Sequence, residues 1–515
     1  MRPPRVWLAL ALLCVTTLIA YAPSFLVPFQ FDDYGRLANN EPLQNGQLWA
    51  ALTWLGNTRL LSSWTLWLDY QLYGDQPVGY HLLNLTLHLS AACGVFALAV
   101  ALCATPRLRG RWTPRGALVL ATVAALVFAL HPLQTEAVTY IIQRAAVMAA
   151  AFYVWAVVCY VRGRNRAAAG APAAARRLYL TSAGLGVAAL LSKENAATLP
   201  FVLLAAEWIF VARPRRRAVL AGAVVLLALA LALVAMKAAM WNPLLADGTP
   251  RFTFAQRMVL SVSGYGTGST LTATPPAATY ALTQALVLPR YLVLLVLPWG
   301  LNVDPDVAWQ TAPSAAVLGG AALVVGLMLA AVAAARRAPV IGFGLWWLLL
   351  ALSIESSVIP LADAMAERRL YLAMPGVGLI AGTLAAGLWR RAPRPAALAS
   401  GALITALAVL TFARLLVWQS PLTLWRDAAD KSPGKARPWL NLGVAHSLEG
   451  RNDRAIDAYC RALALQPDDD LTRENLELAL METGRMDPTD GKPVAQQDGG
   501  VIYELPDAAA YCPQK

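Results

Sequence analysis

Long apolar runs separated by short polar clusters occupy most of the chain as far as residue 416. A helix needs about 20 apolar residues to cross a hydrocarbon core, and fewer where its neighbours thin the bilayer. Eleven runs meet that requirement, at 7–26, 80–104, 117–130, 138–161, 178–191, 196–211, 218–240, 315–335, 340–353, 370–389 and 396–416. The pattern predicts an all-α polytopic membrane protein with about 11 transmembrane helices. A further apolar segment, 285–301, is read as re-entrant or interfacial. If it crossed, Arg336, Arg337, Arg390 and Arg391 would change sides and break the positive-inside pattern of the other basic clusters.

The polar clusters divide into two kinds. Arginines gather in "RLRGRWTPR", "RGRNRAAAGAPAAARR", "RPRRR" and "WRRAPRPR", on the side of the N-terminus. Acidic residues lie in the alternate loops: 27–79, "HPLQTE", "SKEN", 241–284, "NVDPDVAWQTAPS" and "ESSVIPLADAMAERR". This alternation puts the N-terminus in the cytoplasm and the acidic loops on the extracytoplasmic face. The first run reads as an uncleaved signal anchor, because Pro23 would follow the A-x-A-like cut offered by Ala20 and Ala22. Composition agrees with a membrane protein: 58% of residues are hydrophobic and mean hydropathy is +0.51. The net charge of +12 is split between loops instead of gathered on one face, which argues against nucleic acid as a partner. Membrane lipid is the surrounding partner.

Beyond residue 416 the pattern becomes that of polar helices. Trp439, Leu442, Gly443, Ala455, Tyr459, Ala462 and Pro467 occupy the marker positions of a 34-residue tetratricopeptide repeat over 436–469. Asn441, Leu442, Gly450 and Arg451 recur 34 residues later as Asn475, Leu476, Gly484 and Arg485. One full repeat is thus flanked by two partial ones. Three regions follow: a membrane domain over 1–417, a tetratricopeptide region over 418–486, and a tail over 487–515 whose Pro, Gly, Asp and Gln content predicts disorder. An array this short needs a neighbour for stability, and it offers a docking surface for a protein partner.

Candidate chemistry lies in the acidic loops. In "FQFDDY", Asp32 and Asp33 follow the first span; they either mark its exit or supply a base, since adjacent carboxylates repel and one can keep a raised pKa. His81, Asn84 and His88 share a helical face and read as packing residues or as a polar site. In "HPLQTEAVTYIIQR", His131 ends a span, Glu136 opens the next helix and Arg144 lies two turns deeper, where a charge is functional by default. Lys193 and Glu194 either pair with each other or face a ligand, as do Glu367 and Arg368 or Arg369. Lys and Arg beside a membrane suit a phosphate whose lipid tail stays in the bilayer. There is no Walker A, G-x-S-x-G or H-E-x-x-H motif, so no nucleotide, serine-hydrolase or zincin site is expected. The six cysteines form no C-x-x-C pair and no metal site is expected; Cys460 and Cys512 can pair if their region is extracytoplasmic.

"FQFDDY", "GYHLLNLTLH", "HPLQTEAVTYIIQR", "LLSKENAATLP", "ALTQALVLPRYLVLLVLPWGLNVDPD" and "AERRLYL", in this order and before the repeats, resemble the transmembrane and tetratricopeptide repeat-containing (TMTC) protein O-mannosyltransferases and their bacterial relatives. The resemblance implies a GT-C-like fold and an inverting transfer of a hexose, mannose by analogy, from a polyprenyl-phosphate carrier to a protein or glycan hydroxyl. It makes Asp32 or Asp33 the base, with a slight lean to Asp33. Lys193, Arg144 and Arg368 or Arg369 become the carrier-phosphate ligands, with His131 and Glu136 shaping the pocket. It places the protein in a bacterial inner membrane, with its repeats outside. It requires no cofactor and leaves divalent-metal dependence open. The chain departs from the family at "TRLLSS", where Arg59 lacks the usual following proline, and in its short array. The alternative is a non-catalytic membrane scaffold that recruits envelope proteins through its repeats.

Overall fold

The computed structural model describes residues 3–38, 40–53, 59–211, 275–357, 359–487, 492–497, 500–504 and 508–512, with isolated positions between 220 and 235. The expected span at 218–240 lies almost wholly outside the described residues. The chain divides into two compact units, the first reaching Leu416 and the second holding Asn302–Ala308 with Val417–Lys515.

The first unit is helical. Its main helices are α1 (Pro3–Ala20), α2 (Leu60–Tyr73), α3 (Pro77–Cys103), α4 (Pro114–Leu130), α5 (Arg144–Ala168), α6 (Pro172–Ser192), α7 (Leu199–Phe210), α8 (Ala277–Val296), α9 (Ala315–Arg337), α10 (Pro339–Leu352), α11 (Met374–Arg391) and α12 (Pro393–Val417). Among the described residues, five helical segments are long and apolar enough to cross a membrane: α3, Ile141–Ala168, α8, α9 and α12. A sixth appears if α4 and the bent segment Pro132–Thr139 count as one span. The protein is an all-α membrane protein. Fewer helices qualify than the eleven apolar runs suggest because several are short and the run at 218–240 lies almost wholly outside the described residues. Thus α6 gives way at Lys193 to the 3-10 turn Glu194–Thr198, leaving α7 with 12 residues.

Close approach in the bundle depends on missing side chains. A Cβ on Gly378 or Gly382 of α11 would stand 2.5 or 2.3 Å from the carbonyl oxygens of Ala124 and Leu120 on α4. Small residues at this spacing let two helices pack backbone to backbone, which lipid alone would not drive. Buried polar groups stitch the same region. His88 donates from Nε2 to the Ala129 carbonyl (3.0 Å) and pairs through Nδ1 with the Tyr371 hydroxyl (2.7 Å). His81 donates to the Val27 carbonyl at 2.8 Å. Both histidines are buried and tied to backbone inside the bundle.

The run 138–161 is not one helix. A short helix ends at Thr139, Tyr140 is extended, a 3-10 turn covers Ile141–Gln143, and α5 begins at Arg144. Arg144 thus opens a helix and does not lie two turns inside one. The freed backbone finds side-chain partners, as a break in an apolar setting requires: Asn84 Nδ2 donates to the Val138 carbonyl at 3.1 Å, and Asp33 accepts the Ile142 N–H at 3.0 Å.

Helix α8 is continuous where 285–301 suggests a re-entrant segment. Tyr280, Gln284 and Tyr291 hydrogen-bond to Glu355, Ala364 and Ala366, and the Leu295 carbonyl accepts from His131. These contacts span 15 residues, or ~22 Å of helix, and all meet the loops at one end of the bundle, here termed the site face.

The second unit contains α13 (Pro421–Lys431), α14 (Ala436–Leu448), α15 (Asn452–Leu465) and α16 (Asp470–Glu482), packed as successive neighbours. Gly443 admits the Tyr459 ring, which a Cβ would meet at 2.4 Å. Asp304 is buried and accepts from both Lys435 and Arg437, while Asn302 donates to Ser432 at 2.8 Å. The segment expected to be a disordered tail contains an antiparallel hairpin, β1 (Lys492–Gln497) and β2 (Gly500–Glu504), and a short turn at Ala508–Tyr511. A Cys460–Cys512 disulfide supplies the order that composition does not: Ala508 is packed in a cluster with Leu476, Leu480 and Met486.

Candidate functional site

The two adjacent aspartates have different surroundings. Phe31 adopts a left-handed conformation (φ 46°), uncommon for a residue with a bulky side chain, and this turns the chain so that Asp32 and Asp33 diverge. Asp33 is buried; its Oδ1 accepts the Ile142 N–H and its Oδ2 the Gln30 N–H, both at 3.0 Å. Burial raises its carboxyl to about 7 despite those two donors. The Asp32 side chain is exposed, and its backbone N–H donates to the Tyr140 hydroxyl at 3.0 Å. A single π-helical turn, Tyr34–Ala38, follows and carries Arg36.

The broken span provides the next wall. Glu136 Oε1 pairs with Arg368 at 2.7 Å and its Oε2 accepts the Arg368 backbone N–H at 2.9 Å. His131 spends both ring nitrogens on backbone, accepting from Leu133 and donating to Leu295, each at 3.3 Å. Arg144 is fully buried: it donates to Asn84 Oδ1 (2.7 Å) and the Tyr80 carbonyl (3.1 Å) and pairs with Asp69 (2.6 Å). These contacts are internal to the bundle.

Loops after α6 and α10 complete the cluster. Lys193 does not pair with its neighbour Glu194; it pairs with Glu355 at 2.7 Å, and Glu194 pairs with Arg59 at 3.2 Å. Lys193 is extended (φ −157°, ψ 141°), so consecutive side chains point apart. Burial pulls Lys193 below the usual lysine range against the pull of Glu355. Burial pushes Glu355 up, but Lys193 and Arg369 outweigh it and hold it below the usual carboxylate range. Arg368 also pairs with Asp363 at 3.2 Å, and Glu136 and Asp363 together raise it against the effect of burial. Arg369 donates to the Asp363 and Ala364 carbonyls and to Tyr280. Glu367 is buried at the start of the turn that carries both arginines.

Asp32, Asp33, Glu136, Lys193, Glu194, Arg368 and Arg369 thus meet at one end of the bundle, while His131 and Arg144 are held beneath them. Sequence reasoning passed over Arg36, Tyr140 and Glu355. The "DDYGR" spacing was the available signal for Arg36, since it sets a cation within one turn of the carboxylates. Among the described residues, no three His, Cys, Asp or Glu side chains converge as a metal site.

Tmtc3 of Drosophila melanogaster, a protein O-mannosyl-transferase, is 25% identical over 530 residues, covering 91% of this chain and 56% of that protein. The chain is thus similar in sequence to TMTC protein O-mannosyltransferases. TMTC4 of Homo sapiens is 29% identical over 38% of the chain and 28% of its own length, and TMTC1 of Homo sapiens 31% identical over 37% and 22%. The chain thus spans about half the length of the fly TMTC relative and about a quarter of these human ones. No protein-family model matches the chain, and no solved structure matches it.

Proposed function

We propose that the protein is an inverting membrane glycosyltransferase of the GT-C class that moves a hexose, mannose by homology, from a polyprenyl-phosphate carrier to an acceptor hydroxyl. The observation that carries this reading is the exposed Asp32 carboxylate beside buried Asp33 and near Arg36, at the end of the bundle where Lys193, Arg59 and Arg368 also gather. Asp32 takes the proton of the acceptor hydroxyl as its oxygen attacks the anomeric carbon. The carbon–oxygen bond to phosphate breaks, its electron pair stays with the phosphate, and one displacement inverts the centre. Asp33, both of whose oxygens are occupied by backbone, positions the turn; the order is the reverse of the lean drawn from sequence.

The site face is extracytoplasmic in this reading. Basic clusters such as Arg109 and Arg390 lie in the opposite loops, and the Cys460–Cys512 disulfide favours an oxidising compartment for the second unit. That unit, as a tetratricopeptide region, docks the acceptor or another protein. The test is transfer of labelled mannose from a polyprenyl-phosphate donor by purified protein in lipid nanodiscs. Wild-type transfer that Asp32→Asn abolishes supports the proposal; a folded wild type that transfers no hexose from any polyprenyl-phosphate donor leaves the scaffold reading in its place.

A further inference from the structure

The cations around the Asp32 turn differ in whether the protein already neutralises them. Arg59 has Glu194, Lys193 has Glu355, Arg368 has Glu136 and Asp363, and Arg144 has Asp69. Arg369 donates to two carbonyls and a tyrosine hydroxyl. Arg36 has none of this. Among the described residues its guanidinium makes no hydrogen bond and no ion pair within 4.0 Å, although its Nε is shut off from solvent. Its neighbours are Arg59, Asp32, Tyr140 and Glu194, close enough for their charges to act on it. Its backbone, by contrast, is fixed: the Arg36 carbonyl accepts from buried Asn40 at 3.2 Å.

A guanidinium Nε shut off from water without a hydrogen-bond partner is costly, and the charge of nearby Arg59 adds repulsion. Both costs fall when an anion enters. We infer that Arg36 is the seat for the phosphate of the lipid-linked donor, in place of the lysine and arginines that the fold already neutralises. The assignment rests on the glycosyltransferase reading, since it takes the anion to be the donor's phosphate. It also has a geometric consequence. Asp32 and Arg36 lie four residues apart on one short turn, without touching, so a single backbone segment sets the base on the acceptor side of the anomeric carbon and a cation on the leaving phosphate. As the carbon–oxygen bond breaks, the charge that develops on phosphate meets a planar, two-pronged donor suited to it.

The experiment measures binding of undecaprenyl phosphate, and of neutral undecaprenol, to the full-length protein in nanodiscs. Wild type should bind the phosphate at least tenfold more tightly than the alcohol. Arg36→Ala should lose at least tenfold in phosphate affinity with alcohol binding unchanged. Arg36→Lys, which keeps the charge without the fork, should fall between them, and it serves as the decisive variant if Arg36→Ala does not fold. Wild-type preference for the phosphate that survives in the folded Arg36 variants overturns the assignment and leaves the glycosyltransferase reading intact. A wild type that binds phosphate and alcohol equally overturns both.

Discussion

Replacing Asp33 with Asn isolates the work of the buried carboxylate from that of its exposed neighbour. Asp33 accepts two backbone N–H groups, from Gln30 and Ile142, on its two oxygens. Burial lifts it from 3.8 to about 7, so near neutral pH its charge is already partly absent, and loss of charge is not the main cost of the amide. Geometry is. An amide offers one acceptor oxygen where the acid offers two, and its NH2 would face a backbone N–H left without an acceptor. A buried donor without a partner costs about 1–3 kcal/mol. The pH dependence has a definite sign. A folded-state value above the unfolded one means that the protonated form is favoured by folding, so this stabilisation is complete below pH ~4 and is lost as pH rises to about 7. Across that window it amounts to ~4 kcal/mol at 1.36 kcal/mol per unit.

Chemical unfolding in detergent micelles at pH 5 and pH 8 should therefore show two curves that converge or cross. Asp33→Asn should be less stable than wild type by about 1–3 kcal/mol at pH 5, with the gap closing or reversing by pH 8 as wild type loses its protonated carboxyl. Asp32→Asn should unfold like wild type at both, because its side chain is exposed, yet lower sugar transfer ~100- to 10,000-fold. A wild type equally stable at pH 5 and pH 8, or an Asp33→Asn variant at least as stable as wild type at pH 5, refutes this role for the buried Asp33 carboxyl.

Two further outcomes follow from burial and cross-linking. Arg144→Met should destabilise the protein by about 3–5 kcal/mol by leaving Asp69 buried and unpaired; in a thermal-shift assay Asp69→Asn should restore part of the loss, which a residue that only contacted donor phosphate would not show. Cys512→Ser should open a loop with a separation of 52 residues and lower the stability of the second unit by up to ~4 kcal/mol; limited proteolysis that cuts the variant and the oxidised wild type at the same rate would rule this out.

The apolar runs made the all-α membrane fold legible, because a helix in lipid must satisfy its own backbone and long apolar runs admit little else. The breaks were less legible. Nothing in "TEAVTYIIQR" marks an end at Thr139, since the side chains that rescue the freed backbone, Asn84 and Asp33, come from distant parts of the chain. Side chains from four of the acidic loops meet at one end of the bundle, but their choice of partners there was not legible. Lys193 and Glu194 are adjacent, and adjacency suggested a pair, whereas an extended residue sends its neighbour to the opposite side and leaves each to find a partner more than a hundred residues away.

That failure bears on how a phosphate site can be found at all. Sequence counts cations, and by that count Lys193, Arg144, Arg368 and Arg369 were natural choices because they sit in recognisable blocks. What attracts an anion is the charge left after internal pairing. Each of those four carries its own compensation in the fold, by carboxylates or by carbonyls, and to bind phosphate it would first have to surrender a buried partner, at a cost comparable to the gain. Among the described residues, Arg36 has no such partner to surrender. It stands in a loop without periodic pattern, where a single arginine gives no signal of its own, and it becomes visible only when the pairs around it are subtracted. In this proposal a lipid phosphate approaching the site face meets a guanidinium that no described residue pairs, one short turn from the carboxylate that would take the acceptor's proton.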